Sequence, residues 1–200
     1  MLQIFSNDLY IKSYSFICEH AIRLREKQNM PRYQTYIEQG SMKSTLGDMI
    51  DKNKVKSFIV DLCATNNVLK ICMDMHGAYI LSHELAEAAG VEIVRVPQTP
   101  QYLSTPIKEL ETAINEQRIQ HDGSAWMRWN IQCVRLKMNS SGGCTIDRDK
   151  TSDHIDGISS LLDALAAVCA DQAEHQYVRK SVYDERGFSH LDINEEDDAK

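Results

Sequence analysis

Apolar positions recur along this chain with two periods. Ile158, Leu161, Leu162, Leu165 and Cys169 fall at helical spacing, as do Val55, Phe58, Ile59 and Leu62, and each set marks one face of an amphipathic helix. The later helix starts at about Asp153, with Asp156 in its first turn; the earlier one is ended by Asn66 and Asn67. Shorter runs rich in β-branched and aromatic residues, LQIF (2–5) and LYIKSYSFIC (9–18), flank the turn composition SND and predict a hairpin. VLKICMD (68–74), GAYILSHELAEAAG (77–90, closed by Gly90) and VEIVRV (91–96) predict strand, helix, strand, the βαβ unit of a parallel pair. Asp74 stands at the C-terminal end of that first strand, the edge at which ligands gather in open α/β sheets.

The remaining pattern is less regular. A polar, Arg- and Gln-rich stretch contains PRYQTYIEQG (31–40), with Gly40 as a helix stop. Thr105 and Pro106 read as the N-cap and first-turn pair of the helix IKELETAIN. Trp126, Trp129, Cys133 and Val134 are helically spaced in SAWMRWNIQCV, which reads the tryptophans as core and not as base-stacking platforms, although the later part of this run also fits a strand. SSGG (140–143) is a loop.

Two hundred residues suit one α/β domain, here placed at 1–183. The N-terminus lacks the features of a signal peptide and no apolar run has the length of a membrane span, so the expectation is a soluble intracellular protein. Six cysteines without a C-x-x-C pair predict buried reduced thiols. The net charge of −7 excludes a broadly basic nucleic-acid surface. Residues 184–200 carry −5 of it, which leaves −2 for the body, compatible with a local basic groove, and makes 184–200 an acidic, solvated tail.

Two acids share a topological feature: Asp74 closes a strand and Asp156 opens a helix whose start can lie at the same sheet edge. Converging there, they would offer hard oxygen ligands to Mg²⁺ or Mn²⁺, and a pair of such ions clamps the attacking water and leaving oxygen of a phosphodiester. The alternative for Asp156 is a carboxylate favoured by the helix dipole and free backbone N–H groups. Competing chemistries lack their motifs: His76 and His83 do not form H-E-x-x-H, and G-x-S-x-G, G-x-G-x-x-G and a Walker A loop are absent.

HIDGISSLLDAL (154–165) resembles the K-I-D-G motif and following helix that end the nuclease domain of the tailed-bacteriophage terminase large subunit. The resemblance extends through ICMDMHGAYILSHELAEAAGVEIVRVPQT, LSTPIKELETAINEQRIQHDG, MKSTLGDMID and a W-x-x-N-like run at Trp126–Asn130, in the family's order and over roughly residues 10–170.

That resemblance implies a ribonuclease H-like fold, a mixed sheet flanked by helices, and cleavage of concatemeric double-stranded viral DNA with two Mg²⁺ or Mn²⁺ ions. It makes Asp74 and Asp156 the catalytic, metal-binding acids, with Gly157 letting the backbone approach the sheet. It also implies the portal protein, the small terminase subunit and an ATPase domain as partners, with no membrane, in the host cytoplasm and transiently at the procapsid portal. The family's first strand and its Asp belong upstream of LQIF, so the expectation is an N-terminally truncated domain with its ATPase part missing or separately encoded; Asp8, in a predicted turn, is a poor substitute. His154, Arg148, Lys150 and His121 are the candidate DNA contacts, against solvent exposure for His154, ordinary surface charge for Arg148 and Lys150, and turn stabilisation for His121; Asp153 reads as an N-cap. A catalytically incomplete assembly module and a nucleotide-binding α/β module are the alternatives.

Overall fold

The computed structural model describes residues 1–5, 8–27, 32–151 and 154–179. In chain order its elements are β1 (Leu2–Phe5), β2 (Asp8–Ile11), β3 (Phe16–Cys18), α1 (Glu19–Lys27), α2 (Arg32–Glu38), β4 (Lys43–Thr45), α3 (Lys52–Thr65) and β5 (Lys70–Met73). Then follow α4 (Tyr79–Ala89), β6 (Glu92–Arg95), α5 (Pro100–Asn115), β7 (Ile119–His121), α6 (Ala125–Cys133), β8 (Leu136–Met138), β9 (Cys144–Ile146) and α7 (Asp156–Arg179). The chain divides into two compact units, Met1–Cys169 and Ala170–Lys200. The second is described only over 170–179, which are helical, so the acidic tail at 184–200 lies outside the described residues.

β1 and β2 form the expected antiparallel hairpin, from Leu2 opposite Ile11 to Phe5 opposite Asp8. Asp8 is therefore a strand residue, not a turn residue. On its other side β2 runs parallel to β7, with Leu9 opposite Ile119. The single strand expected over 9–18 is broken in two, because β3 leaves this sheet and pairs in parallel with β4. At the break, the Ser13 backbone N–H and hydroxyl both donate to the Asp122 carboxylate, at 2.9 and 3.3 Å, which ties the departing chain to the residue that follows β7. α1 gave no clear periodic signal because Ile22 is its buried residue and the rest of the helix is largely polar.

The βαβ unit stands as read. Asp51 caps α3 by accepting from the Asn53 and Lys54 N–H groups. β5 and β6 are parallel from Lys70 opposite Glu92 to Met73 opposite Arg95, and Gly90 ends α4 at φ +63°, a conformation that costs a residue without Cβ little. One boundary differs. α5 opens at Pro100 behind Thr99, six residues before Pro106, which sits fully buried inside the helix. Pro100 takes the first helical position, where a missing N–H costs nothing, and the Ser104 hydroxyl in the next turn accepts the Cys144 N–H at 2.8 Å, anchoring α5 to β9.

The core gathers Leu9, Leu103, Ile107, Ile158, Leu162 and Leu165 with the rings of Tyr33, Tyr36, Trp126 and Trp129. Those four rings lie 5.3–6.4 Å apart between centroids, so both tryptophans are core residues as their spacing implied. α6 begins at the Ser124 cap and ends at Cys133. SSGG is the turn of the β8–β9 hairpin.

Candidate active site

β5 delivers its last ladder bond at Met73, whose carbonyl accepts the Val96 N–H at 3.1 Å. The chain then leaves the sheet at Asp74, half-buried, whose Oδ1 accepts the His76 N–H at 3.1 Å. Against this strand end lies an acid that the motif reading did not select, Asp163 on α7, only 5% exposed. Its Oδ1 accepts from Gln98 Nε2 at 2.7 Å, and the same amide donates to the Val96 carbonyl at 3.3 Å. Burial pushes the Asp163 carboxyl up to about 6. Hydrogen bonding from Gln98 opposes the rise, the Asp74 charge adds to it, and the Asp74 backbone N–H and the Arg148 charge act against it. An acid set within the apolar run L-L-D-A-L was the available sequence signal, and Gln98 of the Pro-Gln pair was the other.

Asp156 sits elsewhere on the same helix. Asp163 lies seven residues further along α7, two turns or about 10.5 Å of helix rise, so the acid packed against Asp74 is Asp163. Asp156 is the first residue of α7 and its side chain is 83% exposed. It lines a cleft of about 380 Å³ with Ser160 and Ala164 on one side and the run Ile11–Cys18 on the other. His154 is beside it, Nδ1 to Asp156 Oδ2 4.0 Å, and His154 Nε2 is 2.8 Å from Arg25 Nη2. A guanidinium only donates. Nε2 must therefore accept, which places the imidazole proton on Nδ1, the nitrogen that faces Asp156.

Gly157 is explained by α6 and not by the sheet. The fully buried Asn130 accepts the Gly157 N–H on Oδ1 at 2.9 Å and donates from Nδ2 to the Trp126 carbonyl at 3.1 Å. A Cβ at 157 would stand 3.0 Å from Met127 Sδ and 3.1 Å from Asn130 Oδ1. The expected approach to the sheet is thus an approach of α6, and it gives the W-x-x-N-like run its structural meaning: Asn130 satisfies one of the free donors that open α7.

The other candidates are dispersed. Arg148 is exposed and its charge reaches Asp163. Lys150 Nζ is 3.8 Å from the buried Asp147 carboxylate. His121 Nδ1 accepts the Gly123 N–H at 3.0 Å, a turn contact. Asp153 lies outside the described residues. Among the described residues no three His, Cys, Asp or Glu side chains converge closely enough to hold a metal ion. Asp74 and Asp163 are two carboxylates, one of them already engaged by Gln98, which is not the oxygen set of a two-ion site.

Residues 3–172 match the family described as terminase large subunit, endonuclease domain, and the chain belongs to that family. Protein YmfN of Escherichia coli (strain K12) is 28% identical over 145 residues, covering 70% of this chain and 31% of its own length. The fold is similar to that of the HK97 bacteriophage large terminase in its crystal structure, with a TM-score of 0.67 and 17% identity, covering 76% of this chain and 32% of that one. The chain thus spans about a third of the length of both relatives, and its fold is the α/β, ribonuclease H-like one that the motifs implied.

Proposed function

We propose that this domain is the nuclease part of a phage DNA-packaging terminase, hydrolysing concatemeric double-stranded viral DNA. The observation that carries this reading is the family match over residues 3–172. The placement of Asp74 at the end of β5, with an acid of the last helix packed against it, accords with it. Asp74 and Asp156 are the catalytic acids that the resemblance proposes, with Mg²⁺ or Mn²⁺ as cofactor, since carboxylate oxygens suit those ions; in this fold the helix acid beside Asp74 is Asp163, and Asp156 stands two turns earlier on α7. Arg148, Lys150 and His154 are the proposed phosphate contacts. The proposed partners are the portal protein, the small terminase subunit and an ATPase domain, met in the host cytoplasm at the procapsid portal.

The test is nicking of supercoiled plasmid with Mn²⁺, Mg²⁺ or EDTA, by the chain alone and by the chain joined at its N-terminus to a strand bearing one Asp. The joined protein should cut in Mn²⁺, and Asp74→Asn or Asp156→Asn should lower its cleavage on the order of 100-fold with circular dichroism unchanged. Full cutting by either folded variant would show that the wrong acids have been chosen. A second reading, a catalytically incomplete module that assembles with a separately encoded ATPase part, is favoured by the lack of three convergent ligands among the described residues; it predicts no cleavage under any of these conditions.

A further inference from the structure

The cleft beside Asp156 is lined by two permanent cations, Lys12 and Arg25, and by one acid among the described residues, Asp156 itself. That balance is the reverse of the whole chain, whose net charge is −7. His154 adds no charge while its Nε2 accepts from Arg25, at 2.8 Å. Both cations are backed by rings. Lys12 Nζ stands 5.6 Å from the centroid of Tyr14, which packs edge-on against Phe58 at 4.9 Å. The guanidinium carbon of Arg25 stands 5.6 Å from the centroid of Tyr33, a buried core ring. An aromatic face steadies a cation and leaves its charge in place. Asp156 disfavours an anion next to itself, so these two side chains decide where one is held.

The rest of the lining is of another kind. Ile11 and Ile17 on the strand side and Leu161 and Ala164 on α7 make apolar walls. Trp126 lines the same cleft, and its buried indole Nε1 has no hydrogen-bond partner among the described residues, a cost that an acceptor entering the cleft would relieve. A bare phosphate gains nothing from apolar walls. At about 380 Å³ the cleft is instead of the size that takes a small organic group. An anion joined to a largely apolar body that carries acceptors is the chemistry of a nucleotide. A base within a duplex is stacked and paired, so only an unpaired nucleotide can enter.

We propose that this cleft receives one unpaired nucleotide of a DNA strand, its phosphate on Lys12 and Arg25 and its sugar and base against the walls formed by Ile11, Ile17 and Leu161. This rests on the reading of the domain as a DNA nuclease, and it puts a strand end or a locally opened strand beside Asp156 in place of an intact helix.

Fluorescence anisotropy on the whole chain in EDTA provides the test. Duplex with a short single-stranded overhang, of one polarity or the other, should bind about tenfold more tightly than the same duplex with blunt ends. Lys12→Gln and Arg25→Gln should each remove most of that preference, whereas Lys137→Gln, on the exposed strand β8, should keep it; circular dichroism verifies the fold, and the exposed position of Lys12 makes its variant the safer of the two. In ¹H–¹⁵N spectra the Trp126 indole signal should shift with the overhang and with excess thymidine monophosphate, and stay in place with inorganic phosphate. Equal affinity for blunt and overhanging duplex would overturn the proposal, as would folded Lys12 and Arg25 variants that behave like Lys137→Gln, or a Trp126 shift produced equally by inorganic phosphate. Free thymidine monophosphate binding as tightly as the overhang would assign the cleft to a free nucleotide and also overturn it. If binding behaves as stated and the strand-joined protein never cuts, the nucleotide cleft stands and the nuclease reading falls; cutting in Mn²⁺ without any overhang preference would leave that reading intact and remove the cleft.

Discussion

Asn130 Oδ1 accepts the backbone N–H of Gly157 at 2.9 Å, so a fully buried side chain of α6 caps the helix that carries both Asp156 and Asp163. The two helices are locked by this bond and by the absence of a side chain at 157.

Gly157→Ala should therefore destabilise the protein by about 1–3 kcal/mol, since the added Cβ meets Met127 Sδ at 3.0 Å and Asn130 Oδ1 at 3.1 Å. Asn130→Ala should cost about 2–3 kcal/mol through the lost cap and the space left behind. The double variant should be less destabilised than the two effects added, because removing Asn130 relieves part of the clash. Urea unfolding of the four proteins checks this, and strict additivity would contradict it.

Stability should also respond to pH through Asp163. Its carboxyl is pushed from 3.8 to about 6 in the folded protein, chiefly by burial, so the folded state holds this proton more tightly than the unfolded chain. Its contribution is fully present below about pH 4 and is lost as pH rises through about 6, a difference on the order of 2–3 kcal/mol. Melting in EDTA from pH 4 to 8 should show the Asp163→Asn protein gaining on the parent as pH rises across that window. A constant difference would mean that Asp163 does not titrate there.

The His154 tautomer gives a third check. Arg25 at 2.8 Å from Nε2 requires the proton on Nδ1, and long-range ¹H–¹⁵N correlation spectra above pH 8 should show that form. Arg25→Met should shift the ring toward the Nε2–H form. Finding Nε2–H in the parent would break the Arg25–His154–Asp156 sequence of contacts.

Duplex binding supplies the fourth. With a body close to neutral, affinity should be weak and fall with salt, and each phosphate contact contributes about 0.9 to the slope of log K against log salt. Fluorescence anisotropy across a potassium chloride series should give slopes about one unit shallower for Arg148→Ala and for Lys150→Ala. Slopes equal to that of the parent would remove these residues from the DNA surface.

What could be read in advance depended on whether the determinants were local. Asn66 after α3, Gly90 after α4 and the apolar spacing before each mark their own boundaries, so the βαβ unit and the strand-end position of Asp74 were legible. β4 and β7 are three residues long and exist through partners at Phe16–Cys18 and Leu9–Ile11, which no local pattern records. Pro106, nearest the periodic part of α5, drew the helix start away from Pro100, although proline is accommodated at both. Asp163 was passed over, because its place in an apolar helical run names no partner and Gln98 lies 65 residues away. Gly157 announced a close approach, and only the fold shows that Asn130 makes it.

The pairing of β2 with β7 joins Leu9 to Ile119. During synthesis the N-terminal hairpin consequently waits for more than half of the chain before its second edge is covered, and closing a loop of that length costs about 4 kcal/mol in chain entropy. Until then the β2 edge is an open template for strand addition. The Ser13–Asp122 contact, formed only when β7 arrives, makes the end of that exposure a single event. Refolding from denaturant should accordingly be slow, in the range of non-local β pairing, with the turn at Asp122 among the last features to become protected.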